Sequence, residues 1–220
     1  MENLVNVLII DDEKIKINQL SQQLKRMSYE KGGDIYKIIP QSLDLPYDME
    51  DIIKYIRQNS TNAVIIDYKL NSKSDVQYNG VELSQYIREN LNEYPMFILT
   101  SFDYDVYNNE LCDSYYIFDY VKIEKNPEEL KEFTKKIIEQ VLVINKKIDF
   151  WKKELVELLP KKGESAEIDS RILEIDNKLE LALGGERSGI PPKTKKDLFD
   201  NTIEQKLNNL LEKVDKILEE

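Results

Sequence analysis

A small set of polar residues stands where apolar runs of this sequence stop. Asp11 and Asp12 follow Leu4-Val5-Asn6-Val7-Leu8-Ile9-Ile10, and Asp67 follows Ala63-Val64-Ile65-Ile66. Thr100 and Ser101 follow Met96-Phe97-Ile98-Leu99, and Lys122 lies near the end of Ile117 to Ile123. Three carboxylates brought close together repel strongly, and a hard divalent cation with all-oxygen ligation and retained waters, Mg²⁺ above all, relieves that repulsion. A lysine and a hydroxyl beside such an ion can hold the equatorial oxygens of a phosphoryl group while one carboxylate attacks phosphorus in line. Taken singly, each residue also has a bland reading: an aspartate that ends a strand is often only the cap of the next helix.

The elements that must bring these residues together are those of an α/β fold. Residues 1–127 alternate short apolar runs with helical patterns, the signature of βαβ units. Strands are predicted at 4–10, 34–40, 63–66, 96–99 and 117–123, and helices around 14–30, 48–58 and 80–90, with a weaker helical pattern at 103–113. Ile17, Leu20 and Leu24 give the first helix its apolar face, and Lys31-Gly32-Gly33 reads as its stop. This is a (βα)5 doubly wound sheet of five parallel strands, flavodoxin-like, with its first strand central. Its functional groups gather at the carboxyl ends of the strands. The polar stretch 71–79 is an extended loop beside them.

Five pieces in this order resemble the receiver domain of two-component response regulators. They are Val7-Leu8-Ile9-Ile10-Asp11-Asp12-Glu13, Val64-Ile65-Ile66-Asp67-Tyr68-Lys69-Leu70, Asn79-Gly80-Val81-Glu82-Leu83, Phe97-Ile98-Leu99-Thr100-Ser101 and Phe118-Asp119-Tyr120-Val121-Lys122. The resemblance covers about residues 3–140 and implies that Asp67 is the phosphoacceptor. It implies that Asp11, Asp12 and Asp67 hold Mg²⁺ together with the main-chain carbonyl of Lys69. Thr100 would be the hydroxyl that turns toward the phosphoryl group, with Ser101 its small neighbour. The family lysine normally precedes a proline three residues after an aromatic. Here Tyr120 is followed by Val121-Lys122-Ile123-Glu124-Lys125-Asn126-Pro127, so Lys122, one position early, is favoured over Lys125. Tyr120 and Phe118 are both candidates for the aromatic switch residue.

Composition removes other chemistries. With no histidine among 220 residues, His-dependent triads, histidine metal sites and a phosphohistidine on this chain are excluded, so a phosphoryl donor must be another protein, a sensor histidine kinase or phosphotransfer protein. The lone Cys112 excludes an internal disulfide and reads as an inert, half-buried thiol. A net charge of -11 opposes binding to nucleic-acid phosphates or anionic lipid, and the absence of a long apolar run or signal peptide points to a cytoplasmic protein.

Residues 141–220 carry no strand signal and read as an all-α extension with breaks near 160–164 and 184–193. Ile137, Val141, Ile144, Ile148, Trp151, Leu155 and Leu158 alternate at 4-3 spacing, as do Ile168, Ile172, Ile175, Leu179 and Ala182, then Ile203, Leu207, Leu210, Val214 and Ile217. Each stripe needs a helix against it: a local three-helix bundle or coiled-coil appendage, or a homodimer or effector interface. Trp151 is read as core. Gly184 to Pro192 is the expected flexible segment. No glycine-rich phosphate loop, nucleophile elbow or basic helix-turn-helix is present, so neither an enzymatic nor a DNA-binding output is expected. Three roles stay open: a phosphorylation-dependent adaptor or dimerisation module, a stand-alone phosphoryl sink for a kinase shared with another effector (a stress or phage-defence circuit, for instance), and a degenerate receiver acting as a scaffold.

Overall fold

In the computed structural model, which describes residues 2–91, 93–101 and 117–182, the apolar runs assemble into one six-stranded sheet. The elements are β1 (Glu2–Ile10), α1 (Lys14–Arg26), β2 (Ser28–Lys31), β3 (Asp34–Ser42), α2 (Met49–Gln58), β4 (Ala63–Asp67), α3 (Gly80–Asn90), β5 (Met96–Thr100), β6 (Ile117–Asp119), α4 (Tyr120–Lys125), α5 (Pro127–Leu158) and α6 (Ala166–Ala182). The spatial order β2-β3-β1-β4-β5-β6 puts β1 in the middle, and β3, β1, β4, β5 and β6 run parallel. The doubly wound arrangement expected from the sequence is therefore present.

It carries one addition. Ser28–Lys31 forms an antiparallel hairpin with Asp34–Lys37 on the sheet edge, so α1 ends at Arg26 rather than near residue 30. Gly32 and Gly33 are the two-residue turn of that hairpin, with φ of 63° and 85°, values that glycine adopts without steric cost.

Burial follows the pleat. Val5, Val7 and Ile9 of β1 pack with Ile17, Leu20 and Leu24 of α1 and with Phe133 and Ile137 of α5. Leu8 and Ile10 face the other way, against Ile52, Ile53 and Ile56 of α2 and Leu83 and Ile87 of α3. Successive strand residues serving opposite cores is the consequence of covering both faces of a parallel sheet with helices. Central β4 and β5 are buried along their whole lengths, which is why they read as unbroken apolar runs.

The expected strand over 117–123 is corrected: it stops at Asp119, whose carboxylate accepts from the amides of Val121 and Lys122 at 2.9 and 3.2 Å and so starts α4. Phe118 packs between Phe97 and Phe133, with ring centroids 5.9 and 5.0 Å away.

The chain divides into two compact units, Met1–Lys147 and Ile148–Glu220. In the second, the end of α5 and α6 form a helical hairpin. Arg171 binds Glu154 through two hydrogen bonds of 2.6 and 2.9 Å, and Lys178 lies over the Trp151 ring, contacts that require the two helices to run antiparallel. Trp151, Ile172, Ile175 and Leu179 are buried, as the heptad stripes require. The third stripe from Ile203 to Ile217, the segment Gly184 to Pro192, the helical pattern at 103–113 and Cys112 lie outside the described residues. No helix among the described residues is long and apolar enough to cross a membrane.

Candidate functional site

The parallel order places the ends of β1, β4 and β5 side by side, with Asp67 paired to Leu99 and Ile10 to Ile66. One carboxylate oxygen from each of Asp11, Asp12 and Asp67 therefore falls within 4.8 Å of the others. Asp67 is 7% exposed and Thr100 3%, while Asp11 and Asp12 are half-buried. A cavity of about 120 Å³ opens over Asp12, Asp67 and Thr100, lined also by Lys16, Lys69 and Ser101 among others. That volume holds several water-sized groups.

Local geometry fixes each carboxylate. Asp11 accepts from the Glu13 amide at 2.7 Å, turning the chain out of β1 into α1. Asp67 accepts from the Lys69 amide at 2.9 Å, and the Tyr68 amide bonds the Leu99 carbonyl at 2.9 Å. Behind Asp67, α3 starts on a capping box. The Asn79 side chain accepts from Val81 and Glu82, and the Glu82 carboxylate accepts from the Asn79 amide. Gly80, its first residue, donates to the Tyr68 carbonyl at 2.9 Å, and a Cβ there would stand 2.3 Å from the Asp67 carbonyl oxygen. Only glycine lets the helix approach so closely.

The electrostatics are those of an under-neutralised acidic cluster. Burial, and then the charge of Asp67, push the Asp11 carboxyl up to about 7. Burial also raises Asp67, against the pull of Lys16 and the Lys69 amide. A set of three converging carboxylates with no nitrogen or sulfur donor among them fits a hard divalent cation, whose charge would reverse both shifts.

The structure thus brings together Asp11, Asp12, Asp67, Lys69, Thr100 and Ser101. It does not bring Lys122. Carried onto α4, that side chain is 69% exposed with Asp119 3.8 Å away, and Lys125 is likewise exposed on α4. Lys16 is the lysine of α1 that lines the cavity, its side chain only 24% exposed and its ammonium 2.7 Å from Glu13. Burial alone would lower Lys16, but the Glu13 hydrogen bond and the charges of Asp67 and Asp11 hold it above the usual lysine range. Besides Lys16, the structure brings in one more residue that the sequence does not mark, Lys73. The Lys73 amide of the loop after β4 donates to Asp12 at 2.5 Å, and its ammonium pairs with Glu13. The available signal for Lys16 was its place in the first turn of the helix after Asp11-Asp12; Lys73, within a polar loop, had none.

No family model and no curated protein matches the sequence. Solved structures to which the chain is similar include a two-component transcriptional regulator AraC from Clostridium phytofermentans (18% identity, 63% of this chain and 95% of that one, TM-score 0.45). The REC domain of AraT, a response regulator from Geobacillus stearothermophilus, is 19% identical over 62% of this chain and 95% of that one, at TM-score 0.42. The response regulator domain of Thermotoga maritima CheB is 12% identical over 63% of this chain and 97% of that one, at TM-score 0.42.

Proposed function

We propose that this chain is a response-regulator receiver that accepts a phosphoryl group on Asp67 from a partner's phosphohistidine. The observation that carries the reading is the convergence of Asp11, Asp12 and the buried Asp67 within 4.8 Å, beside the buried hydroxyl of Thr100. Asp11, Asp12 and Asp67, with the Lys69 main chain, would hold Mg²⁺, which when bound neutralises charge on the transferring phosphoryl oxygens.

In the transfer an Asp67 carboxylate oxygen forms a bond to phosphorus as the bond from phosphorus to the donor imidazole nitrogen breaks. That nitrogen keeps the bonding electron pair. Attack by water then returns the carboxylate and releases inorganic phosphate, so the only covalent chemistry on this chain is the gain and loss of a phosphoryl group at Asp67. The cavity walls keep Asp67 largely from bulk water, and Thr100, which lines the same cavity, would donate its hydroxyl to a phosphoryl oxygen. The contacts of Phe97 with Phe118 and Phe133 link the strand that ends in Thr100 to α5 by direct packing, a route by which occupancy of Asp67 can bias the α5 face.

The output follows from charge and pattern. Residues 128–220 carry 18 basic against 21 acidic side chains, a balance that suits contacts with protein rather than with phosphate backbones. The helical region serves as a dimerisation or effector-binding module in the cytoplasm, controlled through Asp67. Incubation of the full chain with phosphoramidate and Mg²⁺ tests the reading by intact mass: wild type gains ~80 Da, and Asp67→Asn does not. An unmodified wild type would leave the chain a scaffold.

A further inference from the structure

The cavity holds a lysine that the expected pattern did not supply, at a position the expected pattern did not use. We infer that Lys16, on the first turn of α1, is the cation that binds the phosphoryl oxygens at Asp67, in place of Lys122 or Lys125 of α4. The inference rests on the phosphoacceptor reading above and names a further residue of the same site.

Three observations carry it. Lys16 lines the same cavity as Asp67, Thr100 and Ser101. Its side chain is held rather than free: 24% exposed, with the ammonium 2.7 Å from Glu13 Oε1 and 5.8 Å from the centre of the Tyr120 ring. Its field reaches Asp67, where it is the largest influence opposing the effect of burial. Lys122 meets none of these conditions, because Asp119 starts α4 and keeps that ammonium at its own carboxylate, 3.8 Å away.

The arrangement also allows Lys16 to change partners. The second oxygen of Glu13, Oε2, is paired with Lys73, so Glu13 stays neutralised when the Lys16 ammonium turns to an incoming phosphoryl group. A cation that is replaced at its first partner can be redirected without leaving that carboxylate alone in a half-buried site. In the transfer step Lys16 forms no covalent bond. Its three N–H groups donate to oxygens whose negative charge grows as the bond from phosphorus to nitrogen breaks.

The test measures the rate of the ~80 Da adduct from phosphoramidate and Mg²⁺ on the full chain, by intact mass, for wild type, Lys16→Gln, Lys16→Arg and Lys122→Gln. It is read together with Mg²⁺ affinity by calorimetry and folding by circular dichroism. Lys16→Gln should slow labelling by about 10²-fold or more, Lys16→Arg should recover part of the rate, and Lys122→Gln should keep it. Mg²⁺ affinity of Lys16→Gln should equal or exceed that of wild type, since removing a cation cannot weaken the attraction of three carboxylates for a metal ion. Labelling of Lys16→Gln at the wild-type rate, slowing by Lys122→Gln alone, or loss of Mg²⁺ binding in Lys16→Gln overturns the assignment while the phosphoacceptor reading stands. No adduct on wild type overturns both. Should glutamine at 16 unfold the chain, Lys16→Met, which keeps the aliphatic stem, is read in its place.

Discussion

Asp11 offers the most direct check on the acidic site, because its carboxyl sits at about 7 instead of the ordinary 3.8. Three pKa units correspond to roughly 4 kcal/mol, and since Asp11 is only half-buried, solvent screening reduces this to about 2 kcal/mol. The sign follows from proton counts. Between about pH 4 and about pH 7 the folded chain keeps a proton that the unfolded chain has lost, so the folded state weakens as pH rises through that window and levels off above it. Asp67 is shifted in the same direction. Glu13 and Asp44 are held low by their lysines, so they lose stability only at more acidic pH, outside the window. Thermal unfolding of metal-free protein, followed by circular dichroism, should therefore show a melting temperature about 4–8 °C lower at pH 8 than at pH 5. Saturating Mg²⁺ should abolish or invert the difference, adding about 2.7 kcal/mol at a hundred times its dissociation constant, because it binds the deprotonated carboxylates. Asp11→Asn should flatten the metal-free profile and lose the gain from Mg²⁺. A wild type equally stable at both pH values without metal, or an Asp11→Asn profile as steep as that of wild type, would refute the electrostatic account of the cluster.

Gly80→Ala should cost about 1–3 kcal/mol in urea unfolding, because its Cβ would meet main-chain atoms of Asp67 and Tyr68 rather than a side chain that can turn away. It should also weaken Mg²⁺ binding by displacing β4's end; unchanged affinity would mean that α3 does not position Asp67. In the helical hairpin, Trp151→Ala should cost about 3–5 kcal/mol and Arg171→Ala much less, since the Trp151 ring is buried and the Arg171–Glu154 pair is partly exposed. Comparable losses in the two variants, measured by thermal melts, would count against that ranking.

The sequence was most legible where burial is continuous. Ala63–Asp67 and Met96–Thr100 lie between helical layers, so every residue but the last polar one is apolar and the boundary is marked by a residue of the candidate site. Edges were less legible. Ser28-Tyr29-Glu30-Lys31 pairs on one side only and exposes most of its side chains, so no alternation marks it, and Gly32-Gly33 signals a helix stop as well as a hairpin turn. Asp119 presented the same ambiguity in reverse. Its carboxylate could end a strand or start a helix, and because it captures two amides of the following turn, Lys122 is wound onto α4 and does not line the cavity over Asp67.

That displacement bears on where a site cation should be sought in such a fold. The cleft at the carboxyl ends of parallel strands has a second wall, formed by the first turns of the helices that leave those strands, and Lys16 stands on it one residue before the buried stripe Ile17, Leu20 and Leu24. Its position is set by the core packing of α1, with the Tyr120 ring of α4 5.8 Å from its ammonium. With the cation on α1, the departure of residues 120–127 from the usual lysine-proline pattern would not remove it from the proposed phosphoryl site. The same packing ties Lys16 to the turn made by Asp11 and Glu13, so that Asp12, Glu13 and Lys16, three of the groups whose charges act on Asp67, lie in one short segment.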